Sequence, residues 1–172
     1  MIRGRIKKII IIVPYNGYSE EEVSSLLEVF KNKFDIKIAS SALGYAKGEK
    51  GGSLKIDLLI DEISSKDADA FVFVNGPGFQ EFSYNFMVAN LIKEVYESGK
   101  ILGAISSAPF IFALCGILAH KKATGSEDIA WIIKDGGGYF TGLDIERDGN
   151  VFTAISAIYA KKLAKEITLA LH

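Results

Sequence analysis

A chain of 172 residues with 49% hydrophobic side chains has enough apolar surface to close a core as one domain, 1–172, which excludes a disordered chain. Its 20 basic and 21 acidic residues leave a net charge of −1 with no basic face for phosphates, so no nucleic-acid partner is expected. One cysteine excludes an internal disulfide, and no secretory signal pattern opens the chain, so the expected compartment is cytoplasmic.

Residues 6–13 are β-branched apart from two lysines and end at Pro14 and Gly17, the pattern of a buried parallel strand and its turn. Ser19 then precedes Glu20, Glu21 and Glu22, with Val23, Leu26, Leu27 and Phe30 at helical spacing. That is an N-capped amphipathic helix whose three glutamates are expected to complement the helix dipole in water. Residues 36–39 form a second strand. Glycines at 48, 51 and 52 before the alternation of Leu54, Ile56, Leu58 and Ile60 predict a hairpin within 44–61.

The apolar strand 69–74 closes on Asn75-Gly76-Pro77-Gly78, and a helix over 84–97 ends at Gly99. Phe79, Phe82, Tyr84 and Phe86 crowd this connection; they suit a pocket lining or a dimer contact, with Phe86 expected to pack the helix. The uncharged stretch 101–119 approaches membrane-spanning length but holds Gly103, Ser106, Ser107, Pro109 and Gly116. It reads as a buried strand over 101–105, a sharp turn and a buried helix over 108–118, with no membrane span expected. Residues 138–154 read as a hairpin turning at Asp148-Gly149, and 157–171 as a closing helix. Strands alternating with helices predict an α/β, flavodoxin-like three-layer sandwich with a mainly parallel sheet.

Ala104-Ile105-Ser106-Ser107-Ala108-Pro109, continuing through Leu114-Cys115-Gly116-Ile117-Leu118 to Lys122-Ala123-Thr124-Gly125, resembles the ThiJ/PfpI family's A-I-C-H-G-P, A-G-L-L and K-A-T-G. Asp69 to Gly78 is similar to the family's D-A-L-V-V-P-G-G-P-G, Arg147 to Thr153 to its late D-G-N hairpin, and Gly17-Tyr18-Ser19-Glu20 to its G-F-E segment. The resemblance implies a reactive cysteine on a strained strand-to-helix turn, a tuning glutamate, and backbone N–H groups facing an oxyanion. At those positions this chain has Ser106 for the cysteine, Ser107 for the following histidine, Ser19 for the glutamate, and Asn75-Gly76 for the two glycines. The family also implies a homodimer.

The candidate catalytic set is therefore Ser106, Ser107, Gly76, Ser19 and Glu22, converging where open α/β sheets bind small molecules, outside the strand carboxyl ends. A serine hydroxyl needs an adjacent base, and neither His120 nor His172 can be assigned to the turn, so Ser106 is expected to be a turn residue unlabelled by phosphorus electrophiles. Glu22, in register with a second acidic residue of the family's first helix, is the place to look for an unrecognised base. Cys115 is expected to be an inert core thiol, and no metal or cofactor site is expected. The leading reading is a member without thiol catalysis that binds a small molecule or protein. The alternatives are a Ser106-dependent hydrolase of small peptides, amides or esters, and retained protease, deglycase or glyoxalase activity.

Overall fold

A computed structural model describes residues 4–172. In chain order it has β1 (Lys8–Ile12), β2 (Asn16–Tyr18), α1 (Glu20–Phe30), β3 (Asp35–Ser40), β4 (Gly44–Gly48), β5 (Ser53–Ile56), β6 (Leu58–Leu59) and β7 (Ala70–Phe73). Then follow α2 (Gln80–Ser83), α3 (Phe86–Glu97), β8 (Ile101–Ile105), α4 (Pro109–Leu114), β9 (Lys122–Ala123), α5 (Ala130–Asp135), β10 (Tyr139–Phe140), β11 (Ile145–Asp148), β12 (Val151–Ala154) and α6 (Ala160–Leu171).

The central sheet runs β11-β12-β8-β7-β1-β3-β6, and every pair in it is parallel except the β11–β12 hairpin. Its middle strands are buried on both faces, which explains their unbroken apolar runs. In β1, Ile9 and Ile11 join the core under α1 and α6, while Ile10 and Ile12 join the core under α3, α4 and α5. All four are fully buried, each worth about 1.5–3 kcal/mol of transfer free energy, so β1 anchors both layers. This is the predicted three-layer sandwich.

The hairpin expected within 44–61 is present as β4 and β5, joined by β2 into a separate three-stranded sheet beside the start of α1. The helix read over 108–118 is shorter: α4 ends at Leu114, and Gly116, at φ +78°, turns the chain away. Phe86 is 74% exposed, contrary to the expected packing role, because the buried stripe of α3 runs through Val88, Leu91, Ile92 and Val95 and leaves position 86 outside it. Among the described residues no helix is long and apolar enough to cross a membrane.

Candidate functional site

The carboxyl ends of β1, β7 and β8 open onto a crevice of about 790 Å³. Ser19, Glu22, Gly76, Ser106 and Ser107, the whole candidate set, line it. Neighbouring parallel strands bring these segments together although they lie far apart in sequence.

Ser106 occupies the turn between β8 and α4 at φ +59°, a left-handed conformation rare for a residue with a Cβ. The surroundings hold it there: its N–H donates to the Ala154 carbonyl at 3.0 Å, and its carbonyl accepts from the Ser126 N–H at 2.8 Å. Its hydroxyl does not bond to backbone, as expected of a turn serine, but donates to Glu22 Oε1 at 2.8 Å. Ser106→Gly should therefore be about 1 kcal/mol more stable than Ser106→Ala, since both lack the hydroxyl and only alanine keeps the strained Cβ. Equal urea midpoints for the two variants would contradict this account of the turn.

Glu22 corrects the sequence reading. It does not sit in water with Glu20 and Glu21; it is 1% exposed, on the stripe of α1 that also carries Leu26 and Phe30. Its second oxygen, Oε2, accepts the Asn75 N–H at 2.7 Å, so the carboxylate bridges the turns after β7 and β8. Burial raises its pKa to about 7, opposed by the hydrogen bonds from Asn75 and Ser106 and reinforced by the charges of Glu49 and Glu21. Ser19, matched in sequence to the family glutamate, instead caps α1: its Oγ accepts the Glu22 N–H at 3.3 Å. Its N–H donates to the Asn75 carbonyl at 2.8 Å, tying the cap to the turn after β7.

Gly76 lies at φ +146° where the chain after β7 presses on residues 17–19, and Pro77 begins a single 3₁₀ turn behind it. Ser107 Oγ lies 2.7 Å from Ser126 Oγ, so this hydroxyl pair shares one hydrogen and leaves one to donate elsewhere. Ser126 carried no sequence signal, whereas Glu20, expected to complement the helix dipole in water, stays at the surface and its Oε1 accepts the N–H groups of Lys50 and Gly52, both at 2.9 Å. Neither histidine lines the crevice: His120 is exposed and His172 packs its ring near Phe34. Of the aromatics after the glycine turn, Phe79 and Phe82 are buried while Tyr84 stands 87% exposed at the crevice mouth. Cys115 is half-buried against the α3–α5 core, with its thiol pKa raised by burial. Among the described residues no group of three or more His, Cys, Asp or Glu is placed to hold a metal ion.

A strained hydroxyl, a buried carboxylate in contact with it and a crevice over both can activate an oxygen nucleophile against a small electrophile. The family model described as DJ-1/PfpI family matches residues 7–170. A deglycase of Thermococcus kodakarensis is 25% identical over 82% of this chain and 86% of its own. An uncharacterized protein of Methanocaldococcus jannaschii is 29% identical over 96% of this chain and 82% of its own. The crystal structure of a ThiJ/PfpI domain protein from Brachyspira murdochii superposes with a TM-score of 0.93, at 25% identity and 98% coverage of both chains.

Proposed function

The chain belongs to the DJ-1/PfpI family, and from that premise we propose that it is a hydrolase of small peptides, amides or esters, with Ser106 as nucleophile and Glu22 as its base. Ser106 stands where the family resemblance implies a cysteine, so the hydroxyl takes the role of the thiol. The observation that carries this reading is the 2.8 Å hydrogen bond from Ser106 Oγ to a buried carboxylate of pKa about 7. A base is most effective when its pKa lies near the working pH, and Glu22 meets that condition where an ordinary carboxylate does not.

On this reading the Ser106 oxygen attacks the substrate carbonyl carbon as its proton passes to Glu22 Oε1. The carbonyl π bond opens to an oxyanion facing the N–H groups of Gly76 and Ser107. Collapse expels the leaving group, which takes the proton back from Glu22, and leaves an acyl ester on Ser106. Water then adds to that ester with Glu22 again accepting the proton; collapse expels the Ser106 oxygen, which takes that proton back from Glu22 and leaves the free acid. Cysteine, already a few per cent thiolate at neutral pH, needs less help; serine depends on the base.

A fluorophosphonate probe tests this directly. Stoichiometric labelling of the wild type is expected, absent in Ser106→Ala and rising with pH through about 7 as Glu22 ionises. A wild type that stays unlabelled at pH 8 would return the chain to the second reading, a crevice that binds a small molecule without turnover, which the absence of histidine from the crevice walls favours. The homodimer implied by the family and the cytoplasmic location expected from the sequence belong to the same proposal.

A further inference from the structure

We infer that the crevice selects substrates whose acyl part carries an ammonium or guanidinium group at its far end from the carbonyl that Ser106 attacks; the inference rests on the reading of Ser106 as nucleophile and adds the charge of what it attacks. The site itself stands on Ser106, Glu22 and the cavity over them. What its walls add is a sign. Besides Glu22, the carboxylates of Glu21, Glu49 and Asp128 line the crevice, and among the described residues no lysine, arginine or histidine does. In a chain with 20 basic and 21 acidic residues, such a one-signed wall does not follow from composition.

The three rim carboxylates come from three separate elements, and the backbone that carries each is held in place. Glu21 is in the first turn of α1, fixed by the Ser19 cap. Glu49 is at the tip of the β4–β5 hairpin, where its N–H donates to the Tyr18 carbonyl at 3.0 Å and Glu20 grips two further N–H groups of the turn, those of Lys50 and Gly52. This gives Glu20 its role: it latches the hairpin so that Glu49 faces the crevice. Asp128 is in the single 3₁₀ turn Glu127–Ile129, anchored through Ser126 to the Ser106 carbonyl.

None of the three forms an ion pair among the described residues. Their charge is therefore left for a ligand. The charges of Glu49 and Glu21 already reach Glu22, where they oppose its ionisation. A cation in the crevice would relieve that opposition, so a positively charged substrate favours the ionised form of the base that acts on it. Tyr84 and Phe110 add aromatic rings to the same walls, a second attraction for ammonium and guanidinium groups that stack on them. A carboxylate-bearing substrate would meet repulsion on every side.

The test uses three p-nitrophenyl esters of matched length: 6-aminohexanoate, hexanoate and hydrogen adipate. With the wild type, kcat/KM is expected to fall in that order, by on the order of tenfold from the ammonium to the carboxylate ester at low salt, with the spread narrowing as salt screens the exposed rim. Glu49→Gln with Asp128→Asn should compress the ratio between the ammonium and neutral esters toward one. Equal kcat/KM for all three esters would overturn the inference while leaving the hydrolase standing. If no ester turns over, calorimetric titration of hexylammonium and hexanoate into wild type and Ser106→Ala decides instead: binding of the ammonium alone upholds the charge selection without the hydrolase, and no preference for the ammonium overturns it.

Discussion

Glu22→Gln is expected to lower kcat/KM for ester hydrolysis by about 10²- to 10⁴-fold above pH 7 while making the folded chain more stable there. The two effects have one cause. Glutamine is close to isosteric with glutamate, so it can accept the Asn75 N–H and donate to Ser106, but it cannot take a proton from the hydroxyl. The stability effect follows from linkage: the folded chain holds the Glu22 proton to about pH 7, against the ordinary value of 4.5. A carboxyl raised in the folded state contributes its stability fully below pH 4.5, and that contribution is lost as pH rises toward and past 7. At ~1.4 kcal/mol per pH unit the loss approaches about 3 kcal/mol, and the glutamine variant does not suffer it. Urea midpoints for both proteins between pH 4.5 and 8.5 should therefore diverge with rising pH in favour of the variant. A constant difference would mean that Glu22 titrates normally, and a wild-type rate profile flat through pH 7 would remove it as the base.

The position of Glu22 could have been read from the sequence, although its chemistry was obscured. Glu22, Leu26, Val29 and Phe30 fall at i, i+4, i+7 and i+8, one stripe of a helix, and that stripe is the buried one. The run of three glutamates hid this, because acidic residues in a first helical turn are ordinarily solvated and Glu20 and Glu21 do stay nearer the surface. The same periodicity, applied to α3, excludes Phe86 from its buried face. Strand β8 has the limits its sequence suggested, since an apolar run between Gly99 and Ser106 admits no other boundaries. Glu49 and Asp128 carried no local signal. Each lies in a polar turn that would suit any surface, and only the pairing of β2 with β4 and the hydrogen bond between Ser126 and Ser106 direct them to one place. The strain at Ser106 was implied by the family resemblance, whereas the partner of its hydroxyl is 84 residues away and depends on the order β8-β7-β1 within the sheet.

Gly76→Ala is expected to cost about 3–5 kcal/mol of stability and to abolish Ser106 labelling together. A Cβ at this position would collide with the Gly17 carbonyl oxygen and lie 2.8 Å from both Ser19 N and Tyr18 Cα, all backbone atoms with no side-chain freedom to yield. The turn after β7 would have to lift away from residues 17–19. That movement breaks the hydrogen bond from Ser19 N–H to the Asn75 carbonyl, and shifts the Asn75 N–H that holds Glu22 Oε2. Glu22 would then keep its burial but lose the partner that fixes its direction toward Ser106. The conformation at φ +146° adds a separate penalty, because alanine avoids it. Gly51→Ala separates the two contributions: Gly51 lies at φ +91° with no atom within 4 Å of the added Cβ, so it should lose only the conformational part, about 1 kcal/mol, and keep its labelling. Comparable urea midpoints for the two alanine variants would show that the contact between the turn after β7 and residues 17–19 is loose. Wild-type labelling in a folded Gly76→Ala protein would show that neither the Gly76 N–H nor the bridge through Asn75 is needed to activate the hydroxyl.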